Sequence, residues 1–291
     1  VSIMNSLENE VKPYKRETLL KIKQSDSDLI NFAQSKILEK KFGFERLNNF
    51  LFCNLSHLYF YHYSCESVND NGWGCAWRSL QSALRFQLSL SNQSKDKDIS
   101  FYSIFMKYGS KQSLMEIYKN MNKKENRDEI LNLLSNKVFA PFENQNGWAE
   151  PFISQLVLYD FGFEGDLILV NGYPKNSYAP KEVFDKIVNF KEFKDILKFH
   201  FNKDNPAPII LDDSWSSIAI IGIKYNEEDE NIEIMIMDPH TSTKPEIGLY
   251  IITLDEKGEF QKIEPEELVL ASSAIYFSGN KPWMVYIPKT D

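Results

Sequence analysis

Hydrophobic and polar residues recur with two different periods along the chain, and the change between them divides the sequence. Between residues 27 and 163, except for an aromatic-rich run at 57–63, apolar residues of several segments recur every three or four positions, as in amphipathic helices. The predicted helices are 27–44, 75–90, 113–120, 128–138 and 148–163. From residue 166 onward, short runs rich in β-branched residues predict strands at 166–170, 207–211, 217–225, 232–240, 249–254 and 282–288. A helical portion followed by a largely antiparallel sheet is typical of the α+β class.

The N-terminal region differs in character from the rest. Residues 1–25 are polar and charged with little periodicity, which is typical of an extension or a loosely attached arm. In the helix predicted over 27–44, Ser27 or Asp28 is a candidate N-cap and Gly43 a candidate stop. We therefore expect a partly helical N-terminal extension at residues 1–45 and one folded domain at residues 46–291.

The composition is that of a globular protein with a large core, since 43% of the 291 residues are hydrophobic and 14% aromatic. The net charge of −8 argues against nucleic-acid and anionic-membrane partners, because both bind basic surfaces. No apolar run reaches the roughly 18 residues that cross a bilayer, and the N-terminus lacks the apolar block of a signal peptide. We therefore expect a cytoplasmic protein without a transmembrane segment, whose partner is a protein or a small molecule.

The stretch "DNGWGCAWR" (70–78) places a cysteine between Gly-Trp-Gly and a helix-like apolar run. Gly72 and Gly74 strip the backbone of bulk on both sides of Trp73, so the chain can turn sharply and another backbone can approach. Cys75 then falls at a helix N-terminus, where the helix dipole and unpaired N–H groups favour the reactive thiolate. Cys75 is therefore a candidate nucleophile, although a tight structural turn would have the same pattern.

A nucleophilic thiol needs a histidine within reach, and the chain has four. His200 lies among charged residues and is predicted to be a surface or half-buried side chain. His57 and His62 flank a strand predicted over 57–63, where a separation of five residues puts them on opposite faces. A metal cluster with Cys53 and Cys65 is therefore disfavoured against ordinary packing, and we expect no metal and no cofactor. An odd number of cysteines without a CxxC pair also argues against disulfides and zinc ribbons.

The remaining histidine has a different setting. In "IMDPHT" (236–241), Asp238 precedes His240 by two residues at the end of an apolar strand. In an extended chain these two side chains point to the same side, so the carboxylate can fix the tautomer of the imidazole. Asp-Pro-His by itself is common turn chemistry. Joined to Cys75, it completes the parts of a thiol-peptidase triad.

Several blocks of sequence together resemble one known family. They are "YHY" (61–63), "DNGWGCAWRSLQ" (70–81), "QLVL" (155–158) followed by "LILV" (167–170), and "IGI" (221–223) leading into "IMDPHT". In this order, across about residues 58 to 290, they resemble the ubiquitin-fold-modifier-specific cysteine peptidases. The resemblance implies a papain-like fold that processes the C-terminal tail of the modifier and removes it from lysines of target proteins.

The resemblance also implies roles for individual residues. Cys75 matches the nucleophile, His240 the general base, Asp238 its orienting partner and Tyr63 a tyrosine that stabilises the oxyanion. For a substrate groove, we expect Trp73 to form a wall, with core packing as the alternative, and Gly72 and Gly74 to leave room for the tail. Trp215 is a further candidate for substrate binding, again with core packing as the alternative. The implied partners are the modifier, as precursor and as conjugate, and an adaptor that binds the N-terminal extension and recruits the protein to the endoplasmic reticulum surface.

The sequence departs from the family pattern at several places, among them Trp77 where the family usually has tyrosine, and leaves two alternatives open. Where the family has a glycine-rich stretch followed by a histidine, this chain has Asp212, Asp213 and Trp215, and no histidine. "DPHTST" (238–243) lacks the aromatic residue that the family has after the histidine and is similar to the autophagin peptidases, which also carry Gly-Trp-Gly-Cys. One alternative is therefore an autophagin-like peptidase acting on autophagy modifiers. The other is a non-catalytic modifier-binding protein of the same fold.

Overall fold

The computed structural model describes residues 30–32, 36–93, 97–121, 126–144, 147–226, 231–240, 248–264 and 281–289. The helices, numbered in chain order, are α1 Ile37–Phe42, α2 Phe44–Leu47, α3 Cys75–Leu90, α4 Phe101–Tyr108, α5 Lys111–Asn120, α6 Arg127–Asn136, α7 Pro151–Asp160 and α8 Phe190–Phe201. The strands are β1 Ile30–Asn31, β2 Leu51–Phe52, β3 Tyr59–Phe60, β4 Gly165–Val170, β5 Lys186–Val188, β6 Ile209–Asp212, β7 Ser217–Tyr225, β8 Ile232–Met237, β9 Leu249–Leu254, β10 Phe260–Glu264 and β11 Trp283–Pro288.

A nine-stranded sheet forms the centre of the protein. Its order is β10-β9-β8-β7-β6-β11-β4-β5, with β2 paired to β7, and every pairing is antiparallel except β4 with β5. Both faces are covered, since successive residues of one strand belong to different hydrophobic clusters. Leu167 and Leu169 pack in the cluster that contains α4 to α7, whereas Ile168 and Val170 pack in the cluster that contains α8. Burial on both faces explains why the strands are almost continuously apolar.

The helix that begins at Cys75 is the most buried helix of the described residues. Thirteen of the residues between Cys75 and Leu88 in α3 are buried, and α3 packs against β6, β7 and α7. The α+β prediction is thereby confirmed, with the candidate nucleophile at a helix N-terminus on a largely antiparallel sheet. The predicted bounds of α3, β7 and β9 are those observed.

Some predicted elements have different bounds. The strand predicted over 232–240 ends at Met237, so Asp238 to His240 form the loop after β8. The strand predicted over 57–63 is wrong for most of its length, because only Tyr59–Phe60 is extended in a ladder. Helix α8 was not predicted, and α4 lies in the stretch of about 100–160 that was predicted as largely helical without a segment of its own. In α8 the cue was present, because Asn189 and Glu192 form a reciprocal capping box at its start.

The helix predicted over 27–44 is only partly helical. Ile30–Asn31 is instead a strand that pairs with β3. The helix α1 ends at Phe42, and its C-cap is Gly43, whose φ of 79° glycine adopts without strain. The candidate caps Ser27 and Asp28 lie outside the described residues. Phe32 and Leu38 are buried in the core of the sheet. The described part of the predicted extension therefore packs on the domain, and the division at residue 45 stays a prediction.

Among the described residues, no helix is both long enough and apolar enough to span a bilayer.

Candidate active site

One edge of the sheet brings the predicted catalytic residues together. Because β6, β7 and β8 are antiparallel neighbours, the ends of β6 and β8 lie at the same edge as the start of β7. Asp238 directly follows β8. Helix α3 packs over β6 and β7, and its N-terminal residue Cys75 lies beside His240.

The side chain of Asp238 is fully buried and holds His240 from two directions. Its Oδ1 bonds with the His240 Nδ1 atom and also accepts a hydrogen bond from the His240 backbone N–H at 3.0 Å. Its Oδ2 accepts a hydrogen bond from the Tyr250 hydroxyl at 2.8 Å. The Asp238 N–H donates to the carbonyl of Gly248 at 2.7 Å, and a Cβ on Gly248 would clash with the Asp238 carbonyl. The imidazole orientation is therefore fixed by a carboxylate that is itself fixed.

The electrostatics of this pair favour charged forms of both groups. Burial opposes charge on His240, but the hydrogen bonds with Asp238 and with the Cys75 thiol, and their charges, raise the pKa of His240 to about 11. Burial likewise opposes charge on Asp238, but the hydrogen bonds from His240 and Tyr250 lower the pKa of this carboxyl. The arrangement therefore stabilises an imidazolium next to the thiol, as a thiolate–imidazolium pair requires.

Tyr63 approaches the same centre from the segment before α3. Its N–H donates to the carbonyl of Pro239 at 2.9 Å, and its ring lies edge-on to the His240 ring with centroids 5.1 Å apart. Burial and the neighbouring Cys75 raise the pKa of the Tyr63 hydroxyl. Apart from the neighbouring Cys75 thiol, this buried hydroxyl has no hydrogen-bond partner within the described residues. Tyr63 therefore carries a donor beside the thiol that is available to another group.

A buried ion pair shapes the loop that leads into Cys75. The guanidinium of Arg78 donates to Asp70 at 2.6 Å, to Glu66 at 2.8 Å and to the Cys65 carbonyl at 2.7 Å, and neither Arg78 nor Asp70 is exposed. Asp70 also accepts from the Ser64 N–H at 2.8 Å. Sequence reasoning missed this pair, although both residues lie within "DNGWGCAWR"; a charged side chain on the buried face of α3 was the signal.

The two glycines have structural reasons of their own. Gly72 has φ of 78°, a conformation that other residues rarely adopt. A Cβ on Gly74 would clash with the Asp70 side chain, so the absence of a side chain lets this loop close. Their predicted role in leaving room for a substrate stays a prediction.

The two tryptophans predicted to line a groove lie in different surroundings. Trp73 is only 7% exposed and packs edge-on against Phe101 and Phe105, with ring centroids 5.4 and 5.3 Å away. These contacts favour core packing for Trp73. Trp215 is 63% exposed and meets the Trp148 ring at a centroid distance of 6.3 Å. Exposure of this size favours a binding role for Trp215, which stays a prediction.

The other histidines have structural contacts. His57 bonds with the Ser89 hydroxyl at 2.9 Å, and buried His62 bonds with the Tyr63 carbonyl at 2.9 Å. His200 is only 2% exposed and bonds with the Ala207 carbonyl at 2.7 Å. The prediction of a surface or half-buried His200 is wrong, because α8 turns this residue towards the sheet. Burial lowers the pKa of His200 to about 4.

In the described part of the chain, no group of three or more His, Cys, Asp or Glu side chains could hold a metal ion.

The arrangement of a thiol at a helix start, an Asp–His pair at a strand end and a neighbouring tyrosine is that of a thiol-peptidase centre. The family model of peptidase family C78 matches residues 51–257. The chain therefore belongs to peptidase family C78.

Similarity to individual proteins agrees with this family. The chain is 23% identical to a probable Ufm1-specific protease of Oryza sativa subsp. japonica over 183 residues, which are 62% of this chain and 22% of the relative. It is 50% identical to Ufm1-specific protease 1 of Mus musculus over 26 residues, which are 9% of this chain and 12% of the relative. The chain thus spans only a small part of the length of these relatives.

The fold has a counterpart among solved structures. The crystal structure of UfSP from C. elegans matches with a TM-score of 0.51 and 16% identity over 91% of this chain and 38% of that chain. The similarity concerns the fold alone. It confirms the papain-like α+β fold that the sequence resemblance implied.

Proposed function

We propose that this protein is a thiol peptidase that cleaves after the C-terminal glycine of a ubiquitin-like modifier, the ubiquitin-fold modifier. Maturation of the precursor and release of the modifier from target lysines are the same chemistry on two leaving amines. Membership of family C78 and the similarity to proteins named Ufm1-specific proteases support this choice over an autophagin-like substrate.

The observation that carries the proposal is the linked set of Tyr250, Asp238, His240 and Cys75. The carboxylate is buried and fixed by Tyr250 and by the His240 backbone N–H, and it bonds with the imidazole nitrogen Nδ1. Nε2 is then the ring nitrogen left to exchange a proton with the Cys75 thiol and with the leaving amine. A modifier-binding scaffold without catalysis would not need this chain of fixed groups.

In the proposed reaction, the Cys75 thiolate attacks the carbonyl carbon of the scissile glycine and forms a C–S bond. The imidazolium of His240 gives its proton to the leaving amine as the C–N bond breaks, and a thioester remains. Neutral His240 then takes a proton from a water molecule, whose oxygen attacks the thioester carbon. The carboxylic acid of the modifier leaves, and the sulfur departs as the thiolate that pairs with the protonated imidazole.

Tyr63 is the proposed donor to the oxyanion that forms in both steps. Its hydroxyl is buried beside the thiol and, apart from that thiol, has no hydrogen-bond partner in the described part of the protein. Such a donor needs no rearrangement when charge develops on the carbonyl oxygen. Removal of one donor to an oxyanion lowers kcat about 10²-fold or more in other enzymes, and we expect Tyr63→Phe to lower kcat about 10²-fold.

The proposal is tested with a modifier whose C-terminus carries an electrophile. We expect a covalent adduct with the unmodified chain and none with Cys75→Ala, with Cys53→Ala as the matched control at a buried thiol away from the site. Absence of any adduct with the unmodified chain would favour the non-catalytic binding protein. Incubation with precursors of both modifier classes, read by mass, decides between the ubiquitin-fold modifier and an autophagy modifier.

The expected location and adaptor belong to the same proposal. Binding of an adaptor through residues 1–45 would recruit the cytoplasmic protein to the endoplasmic reticulum surface. Deletion of residues 1–29 tests this, with loss of membrane association and retained labelling by the probe as the expected result. Unchanged membrane association would contradict the proposal for the adaptor.

A further inference from the structure

The loop between β6 and β7 lies next to the candidate active site, at the same edge of the sheet. Asp212 ends β6 and pairs with Ser217 at the start of β7, while Ala219 of β7 pairs with Met237 of β8. Ser217 is therefore about level with Pro239, between Asp212 on one side and the Asp238–His240 loop on the other. Asp212 thus lies across β7 from the imidazole, with neighbouring strands about 4.8 Å apart.

This loop holds buried oxygen atoms that lack partners. Ser214 and Ser217 are 5% and 0% exposed, and their hydroxyl oxygens have no hydrogen-bond partner in the described residues; the same holds for Asp213 Oδ2. Asp212 is 6% exposed, and its Oδ1 accepts from the Ser214 N–H at 2.7 Å. No described residue donates to its other oxygen. Buried oxygen atoms without a hydrogen-bond partner lower the stability of the fold, unless a donor on a bound molecule supplies the missing hydrogen bonds.

The charged groups that raise the pKa of Asp212 are negative. Burial raises the pKa of the Asp212 carboxyl well above its usual range, and the charges of Cys75, Glu150 and Asp213 raise it further. Glu150 is occupied by the N–H groups of Tyr178 and Ala179, both at 2.8 Å. Among the described residues, no Lys, Arg or His side chain forms an ion pair with Asp212, Asp213 or Glu150. A cation is the group that this environment would stabilise most.

Aromatic side chains form the exposed side of the same place. Trp215 is at the tip of the loop, where the carboxylate of Asp213 accepts hydrogen bonds from the N–H groups of Trp215 and Ser216 at 3.0 and 2.9 Å. Its ring meets Trp148, and Trp148 in turn meets Tyr178 at a centroid distance of 6.5 Å. Tryptophan faces attract lysine and arginine side chains. An exposed aromatic surface beside unpartnered acceptors is thus suited to a long cationic side chain.

We infer that Asp212, Ser214, Ser217 and Trp215 form a subsite that binds a lysine or arginine side chain of the substrate tail, close to the scissile glycine. The subsite rests on the proposed peptidase function and specifies the substrate for it. The stem of the side chain lies along Trp215, and its cationic end donates to the free oxygen of Asp212 and to the two serine hydroxyls. Where the family pattern has glycines, this chain therefore has a means of selecting tails by charge.

The first test compares tail peptides that differ by one residue, arginine or glutamine, at each of the three positions before the glycine. We expect arginine to raise kcat/KM about tenfold at one position, as for a hydrogen bond between charged groups. In Asp212→Asn, the ratio of kcat/KM for the arginine peptide to kcat/KM for the glutamine peptide falls towards one. The matched control is Asp255→Asn, since Asp255 accepts from Lys257 and Glu259 N–H groups in a distant turn and should leave the ratio as it is.

A binding measurement separates this inference from the proposed function. Tail peptides are titrated into Cys75→Ala, and tryptophan fluorescence reports occupancy near Trp148 and Trp215. We expect the arginine peptide to bind about tenfold more tightly than the glutamine peptide, and Trp215→Ala, an exposed position, to abolish the difference. Equal binding of the two peptides overturns the subsite. If the electrophilic probe fails to label Cys75 while the charge preference in binding remains, the peptidase function fails and the subsite stands.

Discussion

Two buried aspartates lie at the same edge of the sheet and behave in opposite ways. Asp238 follows β8 and Asp212 ends β6; their exposed fractions are 0% and 6%. The pKa of Asp238 is lowered because hydrogen bonds from His240 and Tyr250 outweigh burial. The pKa of Asp212 is raised because burial and neighbouring negative groups act together. Residue type and burial are shared, so the donors around each carboxylate decide its charge.

The two carboxylates have different roles on the two sides of the Cys75 thiol. On one side of Cys75 the protein supplies every partner of the carboxylate, and that side is complete for proton transfer. On the other side, the described residues supply one donor to the Asp212 carboxylate, the Ser214 N–H, and the proposed substrate supplies the rest. The carboxylate of Asp70, a third buried aspartate, also has a partner from the protein, since the Arg78 guanidinium pairs with it at 2.6 Å.

The largest expected effect is on catalysis. Asp238→Asn keeps the shape of the side chain but removes the charge that fixes the His240 tautomer, so we expect kcat to fall about 10⁴-fold. Steady-state cleavage of the modifier precursor measures it, and far-UV circular dichroism checks the fold. A loss no greater than that of Asp212→Asn would remove the contrast between the two carboxylates.

A large loss of stability is expected from Arg78→Met. The substitution keeps volume on α3 but leaves the fully buried Asp70 without its cation, which costs about 3–5 kcal/mol of the free energy of unfolding. Urea denaturation measures the change. Arg127→Met is the matched control, because the contacts of Arg127 with Asp128 and with the Lys119 carbonyl are exposed. Equal stability of the two variants would contradict the role assigned to the buried pair.

A smaller loss is expected when Asp238 loses one donor. Tyr250→Phe removes the 2.8 Å hydrogen bond to Oδ2, and hydrogen bonds to charged groups contribute about 2 kcal/mol. Tyr286→Phe serves as the control, because the buried Tyr286 hydroxyl has no partner in the described residues. We expect the control to be neutral or slightly stabilising in thermal unfolding. If both variants lost the same stability, the hydrogen bond would not be the cause.

The smallest expected effect is a change in the pH dependence of stability. A carboxyl with a raised pKa binds more protons in the folded than in the unfolded state between its unfolded value of 3.8 and its folded value. Stability therefore falls as pH rises through this window. In Asp212→Asn the decrease should be shallower, measured as the midpoint of urea unfolding between pH 4 and pH 8. A curve parallel to that of the unchanged chain would contradict the raised pKa.

Local patterns in the sequence determined much of the fold and the centre of the site. The helical period over 75–90 and the apolar runs over 217–225 and 249–254 gave the observed bounds, because burial of these segments follows directly from their periodicity. A cysteine at a predicted helix start and an aspartate two residues before a histidine were also visible locally. The resemblance to a family added Tyr63, for which the pattern offered no independent reason.

Other features were decided by tertiary structure alone. The Asp238 carboxylate accepts a hydrogen bond from Tyr250, which is twelve residues away on the next strand. Asp212 comes near Cys75 because β6 lies next to β7, and β7 lies next to β8. Whether Trp73 or Trp215 is exposed depends on what packs against each ring, which neither sequence position reveals. Sequence therefore determined which chemical groups are present and on which elements. The electrostatic state of the two aspartates depends on donors that come from distant segments, and only the folded chain brings these together.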